Sequence, residues 1–229
     1  MNWKQRILDV FFPPRCPVCG DVVRSGEVFC SKCLPGLLCG RAPKFTHGQR
    51  LAFSRAFFVM DYDERTRPAV RRLKEIPDSA EAHRFAALLA DELRAAEETN
   101  FSCVAFVPMA EKKRLARGHN QAETLAVLLA EELSLPLAEN LLHREQNDTV
   151  QHTLSREARA QNAAASYSAV PGARVSGRVL LVDDVLTSGA TLDRCAALLR
   201  EMGACDVVAA AAVSTPAHKT DHEKTLKGE

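Results

Sequence analysis

The chain contains 229 residues, of which 46% are hydrophobic and 26% are charged. This length and composition predict a globular protein with one good core and a small accessory module. The formal net charge is only +1, so the overall charge gives no argument for nucleic-acid binding, and no apolar run is long enough to predict insertion into a membrane.

The N-terminal segment Met1–Phe12 places Lys4, Arg6 and Asp9 among its apolar residues. Its uncharged stretch is too short for the hydrophobic region of a secretory signal, whereas its apolar residues fall at helical spacing. We therefore predict a short docking helix here. We also expect a cytoplasmic location, in which cysteines stay reduced.

The composition changes along the chain and suggests three parts. Residues 1–50 are rich in Cys, Gly and Pro and lack long periodic segments, so we expect them to hold the N-terminal helix and a cysteine module. Residues 51–216 alternate between strand and helix patterns and are expected to form one α/β domain. The polar tail at 217–229 is expected to be disordered.

The cysteine module contains two Cys-x-x-Cys pairs about ten residues apart. The four cysteines are Cys16, Cys19, Cys30 and Cys33. This spacing predicts a closed, structural zinc site, and zinc contributes on the order of 10 kcal/mol to the folding of such modules. The alternatives are a disulfide, which is disfavoured in a reducing compartment, and a redox pair, which is typical of a thioredoxin-like βαβ unit. Cys39 or His47 could replace one of the four ligands.

Downstream of this module, short apolar runs alternate with amphipathic segments. The apolar runs predict strands at 53–62, 101–107, 137–142, 179–182 and 207–213. The amphipathic segments predict helices at 67–74, 79–99, 120–133, 155–165 and 192–202. Strands that alternate with helices of this length are typical of βαβ units, so we predict a parallel sheet flanked by helices.

The strand at 179–182 leads into an unusual group of polar residues. Two adjacent carboxylates, Asp183 and Asp184, follow the strand. Small and hydroxyl-bearing residues come next: Thr187, Ser188, Gly189, Ala190 and Thr191. A strand that feeds a helix through such a loop directs free backbone N–H groups at one point, which suits a phosphate. The carboxylates would repel a phosphate but suit a diol or a metal ion beside it, so we predict a site for a phosphorylated sugar.

The alternative for this segment is an ordinary strand–turn–helix unit in which a threonine caps the helix. Two other phosphate-binding motifs are excluded. The sequence contains neither the G-x-x-x-x-G-K-[ST] pattern of a P-loop nor the G-x-G-x-x-G pattern of a dinucleotide site.

A second group of polar residues follows the strand predicted at 101–107. It contains four cations, which are Lys112, Lys113, Arg114 and Arg117. Ligands of an open parallel sheet bind outside the carboxyl ends of its strands, so this segment and the loop after Asp184 should face one crevice. Arginine can bind a diphosphate with paired hydrogen bonds, which predicts a diphosphate-binding loop. A solvated charged loop is the alternative, and His119 is expected to be a loop or capping residue.

The segment at 183–191 resembles the 5-phosphoribosyl-1-diphosphate (PRPP) motif of type I phosphoribosyltransferases. Together with the other motifs, it makes nearly the whole chain similar to the ComF family, which includes the GntX and ComFC proteins. The other shared features are the two Cys pairs, Tyr62 with the basic stretch to Lys74, Val107-Pro108-Met109, Arg117-Gly118-His119-Asn120-Gln121, Arg144, and the series Gln151, Arg159 and Asn162.

The resemblance implies a zinc-knuckle module joined to a type I phosphoribosyltransferase-like domain. It also implies a role in the uptake of single-stranded DNA during competence, which is the process to which family members are linked. In a phosphoribosyltransferase, Asp183 and Asp184 would be the catalytic pair, and Mg²⁺ would bridge the diphosphate and the ribose hydroxyls. Ser155, Arg159 and Asn162, on one face of the helix predicted at 155–165, could cover the ligand.

Two functions therefore stay open. The first is a phosphoribosyltransferase whose acceptor the sequence does not name. The second is a non-catalytic adaptor that binds single-stranded DNA or proteins of the DNA-uptake machinery, with Arg71, Arg72 and Lys74 on the DNA backbone. Aromatic residues make up only 6% of the chain, which disfavours an extensive base-stacking platform. A PRPP-sensing repressor is disfavoured because no helix-turn-helix is evident.

Overall fold

The computed structural model describes residues 13–24, 27–38, 51–145 and 166–215. The predicted N-terminal helix, the helix at 155–165 and the tail lie outside these residues, as do Cys39 and His47. Within the described ranges, no helix is long and apolar enough to cross a bilayer.

The described part of the chain folds into strands and helices that alternate through most of its length. In chain order they are β1 (Arg55–Asp61), α1 (Arg67–Glu75), α2 (Ala80–Ala95), β2 (Cys103–Phe106), α3 (Glu111–Arg117), α4 (Gln121–Leu133), β3 (Leu142–Arg144), β4 (Tyr167–Ala169), β5 (Gly177–Leu186), α5 (Ala190–Glu201) and β6 (Ala204–Ser214). A 3₁₀ turn at Leu34–Gly36 precedes them.

Four strands form a parallel sheet in the order β1-β6-β5-β2. The central strand β6 is buried along most of its length and contributes the small residues Ala209–Ala212. Such continuous burial is typical of a parallel sheet that helices cover on both faces. Strands β3 and β4 form a separate antiparallel ribbon.

Side chains of successive strand residues enter two different hydrophobic clusters, one on each face of the sheet. In β5, Leu180 and Val182 join the cluster that includes α2 and α4. Val179 and Leu181 join the cluster that includes α5. The predicted parallel sheet with helices on both faces is therefore confirmed.

The cysteine module packs against the cluster that contains α2. Phe29 of the module meets Phe85 of α2 edge to face, with ring centroids 6.4 Å apart and an interplanar angle of 68°. Leu38 forms an antiparallel bridge with Met60 of the edge strand β1. The module and the sheet thus share one core, and the bridge covers part of an otherwise open sheet edge.

Strand β5 is longer than the sequence predicts. Its pairing with β6 continues past the expected end at 182, with Asp183 opposite Ala211 and Leu186 opposite Ser214. The two acidic residues therefore belong to the last part of the strand, because backbone pairing with β6 outweighs the low strand preference of aspartate.

Other boundaries also differ from the predictions. The strand expected at 137–142 begins at Leu142, and Leu137 makes only an isolated bridge to Val104. Helix α2 stops at Ala95, before the left-handed residue Glu97 (φ +58°), rather than near 99. Strand β4 has no counterpart among the predicted elements, and the segment expected to be a basic loop contains the helix α3.

An ion-pair network holds the amino ends of the strands together. Glu98 is only 4% exposed, and its carboxylate lies 2.6 Å from Arg55 Nη1 and 2.5 Å from Arg178 Nη1. Arg178 also binds Asp206 at 3.0 Å, and its guanidinium lies 5.0 Å above the ring of Phe101. A buried carboxylate with two arginine partners is costly to disrupt, since its removal takes the carboxylate partner from Arg55 and one of two carboxylate partners from Arg178.

We expect the substitution Glu98→Ala to lower the free energy of unfolding by about 2–3 kcal/mol. The expected loss is no larger than the loss found when a fully buried ion pair is broken, because the Arg55 side chain is largely exposed to solvent. Asp91→Ala is the matched control: it removes an exposed pair with Arg94 and should cost less than about 1 kcal/mol. Urea unfolding of the three proteins measures both effects, and equal losses in the two variants would contradict the role of this network.

Candidate functional site

The loop between β5 and α5 leaves the first turn of α5 open to a ligand. β5 ends at Leu186, and α5 begins at Ala190 after the left-handed residue Gly189 (φ +81°). Gly189 occupies the N-cap position and provides no side chain to accept a hydrogen bond from the helix. Thr187 and Ser188 are exposed beside it, and Ser188 Oγ accepts a long hydrogen bond (3.4 Å) from Ala190 N.

Two other helices of the domain begin differently. Ser79 caps α2 by accepting a hydrogen bond from Ala82 N, and Asn120 caps α4 by accepting one from Ala122 N. A side-chain oxygen at the N-cap occupies the place that an anion would take. The start of α5 lacks such an oxygen at its N-cap Gly189, so its amide groups and its helix dipole can act on an external anion.

Asp183 and Asp184 lie next to this helix start, both half-buried at the carboxyl edge of the sheet. Burial, together with the negative charge of Asp184, raises the pKa of Asp183 well above its usual value. A hydrogen bond from Asp184 N to Asp183 Oδ1 (2.8 Å) partly offsets this rise. Removal of the second proton from such a pair is costly, so the site favours a ligand that supplies donors or positive charge.

Lys74 contributes a cation to the acidic pair. Its Nζ lies 3.2 Å from Asp184 Oδ2, and its backbone carbonyl accepts a hydrogen bond from Gln121 Nε2 at 3.2 Å. The last turn of α1 and the first turn of α4 therefore meet beside Asp184. The sequence places Lys74 in a basic patch that could contact DNA. Its contact with Asp184 has no sequence signal, because the two residues are far apart in the chain.

A buried wall lies behind Asp183. Tyr167 of β4 is 3% exposed, and the guanidinium of Arg144 lies 5.0 Å above its ring. Burial raises the pKa of the Tyr167 hydroxyl, and the neighbouring Thr191 side chain partly offsets this rise. Burial and the nearby Asp183 charge likewise raise the pKa of the Cys195 thiol. The β3–β4 ribbon thus lies beside the loop between β5 and α5, and no sequence pattern pointed to Tyr167.

The four cations predicted to bind diphosphate lie on α3 and are exposed. Arg114 makes two hydrogen bonds of 3.0 Å to Glu111, and this contact lowers the pKa of Glu111. Arg114 and Glu111 line a cavity of about 350 Å³, whereas Arg117 lines a separate cleft of about 570 Å³ together with Lys74. Among the described residues, Arg117 is therefore the predicted diphosphate ligand that lines a cleft together with Lys74, the residue that contacts Asp184.

The remaining two cations of α3, Lys112 and Lys113, are exposed, and their assignment as diphosphate ligands stays a prediction. The residues after α3 have structural roles. Asn120 Nδ2 donates to Val107 O at 3.1 Å, while its Oδ1 caps α4. His119 contacts Arg117 O through Nδ1 at 3.4 Å, which fits the expected loop position.

The four cysteines of the N-terminal module converge on one point. Their sulfur atoms all lie within 4.8 Å of one another, and Cys19 Sγ is 3.6 Å from Cys30 Sγ. Burial raises the pKa of Cys16, but backbone hydrogen bonds outweigh it and bring this pKa to about 6. Hydrogen bonding with Cys30 raises the pKa of Cys33 to about 12. Four converging sulfur ligands fit zinc and support a structural zinc site.

Comparison with known families agrees with both parts of this structure. Residues 119–228 match the family model of the phosphoribosyl transferase domain, and residues 7–44 match that of the double zinc ribbon domain.

The chain is 30% identical over 204 residues to the DNA utilization protein YhgH of Escherichia coli K12, which covers 84% of this chain and 86% of that protein. It is 35% identical over 99 residues to Competence protein F of Haemophilus influenzae, which covers 42% of this chain and 43% of that protein. Competence protein ComFC of Streptococcus pneumoniae is 29% identical over 123 residues. The match covers 54% of this chain and 51% of that protein.

Solved structures of similar fold include the allosteric regulatory enzyme of purine biosynthesis, with a TM-score of 0.40, 24% identity, and coverage of 62% of this chain and 30% of that one. The purine phosphoribosyltransferase from Pyrococcus horikoshii has a TM-score of 0.36 and 20% identity. The match covers 59% of this chain and 74% of that one.

The parallel sheet, the clustered cysteines and the long match to YhgH lead to one assignment. The chain belongs to the ComF family of phosphoribosyltransferase-like proteins with an N-terminal cysteine module.

Proposed function

We propose that this protein binds PRPP, or a closely related phosphorylated ribose, in the crevice at the carboxyl edge of β5. One observation carries the proposal. A helix start with a glycine N-cap lies directly beside two half-buried carboxylates on the same strand. The helix start suits a phosphate and the carboxylates suit hydroxyl groups, and PRPP combines these groups in one molecule.

The loop after β5 would bind the 5-phosphate. The contributing residues are Thr187, Ser188, Gly189, Ala190 and Thr191. Backbone N–H groups at the start of α5 donate hydrogen bonds, and the hydroxyls add side-chain donors. Tyr167, a buried residue next to Thr191, would support this loop.

Asp183 and Asp184 would accept hydrogen bonds from the ribose hydroxyls or from water on Mg²⁺. Their carboxylates cannot bind the phosphate, since like charges repel. Bound Mg²⁺ would neutralise charge on the diphosphate. Lys74 holds Asp184 in position through its 3.2 Å contact and reduces the net negative charge of the pair.

The diphosphate would face α3, where we assign Lys112, Lys113, Arg114 and Arg117 to its binding. Arg117 lies on the same cleft as Lys74, and Arg114 would have to exchange Glu111 for the ligand. In a transfer reaction, the bond from ribose C1 to the diphosphate breaks and the diphosphate leaves with the electron pair. The acceptor then bonds to C1, and its proton passes to the departing diphosphate. Catalysis of this kind rests on positioning and electrostatics.

A non-catalytic adaptor of DNA uptake is the second candidate, because relatives bear the names Competence protein F and DNA utilization protein. The proposed DNA-contacting patch is partly neutralised in the structure. Arg71 pairs with Glu75 at 2.9 Å, and Arg72 pairs with Glu81 at 2.7 Å. These contacts favour the small-molecule function. We also propose that the protein works in the cytoplasm, where reduced cysteines can hold zinc.

The zinc site is proposed to be structural. Four cysteine ligands leave no open position for water, so the metal has no catalytic role here. Its contribution is to fold a segment that is too small to build a core of its own, and to present Phe29 to the α2 side of the sheet.

Calorimetric titration of PRPP in the presence of Mg²⁺ tests the ligand. We expect saturable binding by the wild type and at least about a tenfold loss of affinity in Asp183→Asn/Asp184→Asn, since each charge-assisted hydrogen bond contributes about 1.5–3 kcal/mol. The control Asp91→Asn changes an exposed acid of α2 that pairs with Arg94, and this variant should bind as the wild type does. A folded, zinc-loaded wild type that binds no PRPP would contradict the proposal and favour the adaptor.

The raised pKa of Asp183 predicts a pH-dependent stability difference in the ligand-free protein. The folded state holds the proton more tightly than the unfolded state, so the stabilisation is present at low pH and is lost as pH rises through the folded-state pKa. Asp183→Asn mimics the neutral form. The melting temperature of this variant should equal that of the wild type at about pH 4 and should exceed it at about pH 8. A difference that does not change with pH would show that Asp183 ionises freely.

The cysteine assignment is tested by zinc content and thermal stability. Cys16→Ser should lose the metal and lower the melting temperature of the whole chain, because the module shares its core with the sheet. Cys205→Ser is the matched control, since Cys205 is an exposed free thiol on β6. Elemental analysis by mass spectrometry measures the zinc, and an unchanged zinc-to-protein ratio in Cys16→Ser would refute the assignment.

A further inference from the structure

The ammonium group of Lys74 lies where a metal ion would otherwise meet the acidic pair. Its Nζ is 3.2 Å from Asp184 Oδ2, and its positive charge partly offsets the rise in the pKa of Asp183. Among the described residues, Lys74 is the basic side chain at ion-pair distance from this pair. Carboxylate oxygens are preferred ligands of Mg²⁺ and Mn²⁺, so Lys74 contacts an oxygen that a divalent cation would bind.

The backbone of Lys74 is fixed, although its side chain is long and flexible. Gln121 is only 2% exposed, and its Nε2 donates a hydrogen bond of 3.2 Å to the carbonyl oxygen of Lys74. The preceding residue Asn120 caps α4 and donates to Val107 O, which ties the same turn to the end of β2. The ammonium group can therefore reach or leave Asp184 by rotation of the lysine side chain alone, without movement of α1.

A second position is open to the same ammonium group. Lys74 also lines the cleft of about 570 Å³ between α1 and α3, and its side chain is 34% exposed. The Asp184 side chain is 19% exposed, so the ion pair lies at the boundary between the acidic pair and the cleft. A lysine ammonium group is strongly hydrated, and the open cleft keeps it in contact with water when it leaves the carboxylate.

We propose that Lys74 holds the place of the divalent cation in the ligand-free protein and keeps free metal ions away from Asp183 and Asp184. A phosphorylated ligand that brings its own metal supplies further oxygen ligands, and Lys74 then leaves Asp184 for the cleft. This order, in which metal enters only together with its ligand, rests on the proposed function above. The exclusion of free metal by Lys74 does not rest on it.

Binding of Mn²⁺ to the zinc-loaded protein without PRPP tests this role, because electron paramagnetic resonance measures free Mn²⁺ directly. Lys74→Met should bind Mn²⁺ at least about tenfold more tightly than the wild type, since the competing charge is removed. Lys74→Gln, a second neutral variant, should show the same gain. Lys74→Arg keeps a cation and should exclude Mn²⁺ as the wild type does. Lys74→Met/Asp184→Asn should lose the gain, because the added metal binds at the acidic pair.

Arg71→Met is the matched control, because it removes a positive charge from the same helix and the same cleft lining. Arg71 pairs with Glu75 rather than with the acidic pair, so this variant should bind Mn²⁺ as weakly as the wild type does. A melting temperature for each variant checks that it is folded.

Three results would overturn the inference: equal Mn²⁺ affinity in the wild type and both neutral Lys74 variants, an equal gain in Arg71→Met, or a gain that persists in Lys74→Met/Asp184→Asn. A wild type that binds PRPP without any Mn²⁺ difference among the variants would keep the proposed function and remove this inference. A wild type that binds no PRPP, together with the expected Mn²⁺ difference, would remove the proposed function and keep the exclusion of metal by Lys74. The two failures are therefore distinguishable.

Discussion

Parallel hydrogen bonding between β5 and β6 places the two acidic residues and the start of α5 in the candidate site. β2 ends at Phe106, opposite Val182, but β6 stays paired with β5 as far as Leu186. Asp183 and Asp184 therefore lie on a strand that is supported on one side and open on the other. The chain then turns at a glycine into α5, so that the acids and the helix start lie at one edge of the sheet. The same continuous pairing requires the small, fully buried side chains of β6, because helices cover both faces of the sheet.

The electrostatics of this edge lower the stability of the protein when Asp183 is ionised. Burial and like charge raise the pKa of Asp183, while Lys74 and the Asp184 amide offset only part of the effect. Positive charge and hydrogen-bond donors of a ligand would relieve the repulsion. At the opposite edge, Glu98 is surrounded by arginines and is fully compensated. The unfavourable charge of the domain thus lies at the proposed ligand site, whereas the compensated charge lies where the strands begin. Local conflicts of this kind are commonly found at functional sites.

Features that are contiguous in the chain could be predicted from the sequence. The segment from Asp183 to Thr191, the two cysteine pairs and the alternation of strands and helices all carry local patterns, and the fold and the cysteine cluster follow from them. Residues brought in by tertiary contacts could not be predicted. Lys74 lies far from Asp184 in the chain, and Tyr167 belongs to a three-residue strand with no periodic signal. The helix α3 was also missed, since a short run of charged residues with Leu115 exposed has no amphipathic pattern.

The cysteine module and the sheet share one core, which limits how the function of the module can be tested. Phe29 packs on Phe85, and Leu38 pairs with the edge strand at Met60, so the binding free energy of zinc stabilises the sheet as well as the module. Loss of a zinc ligand should then impair the proposed ribose site without any direct contact between the two. A cysteine variant that loses DNA uptake would consequently say nothing about DNA contact by the module. Substitutions on α1 or α3 that leave zinc content and melting temperature unchanged separate the small-molecule site from the scaffold that holds it.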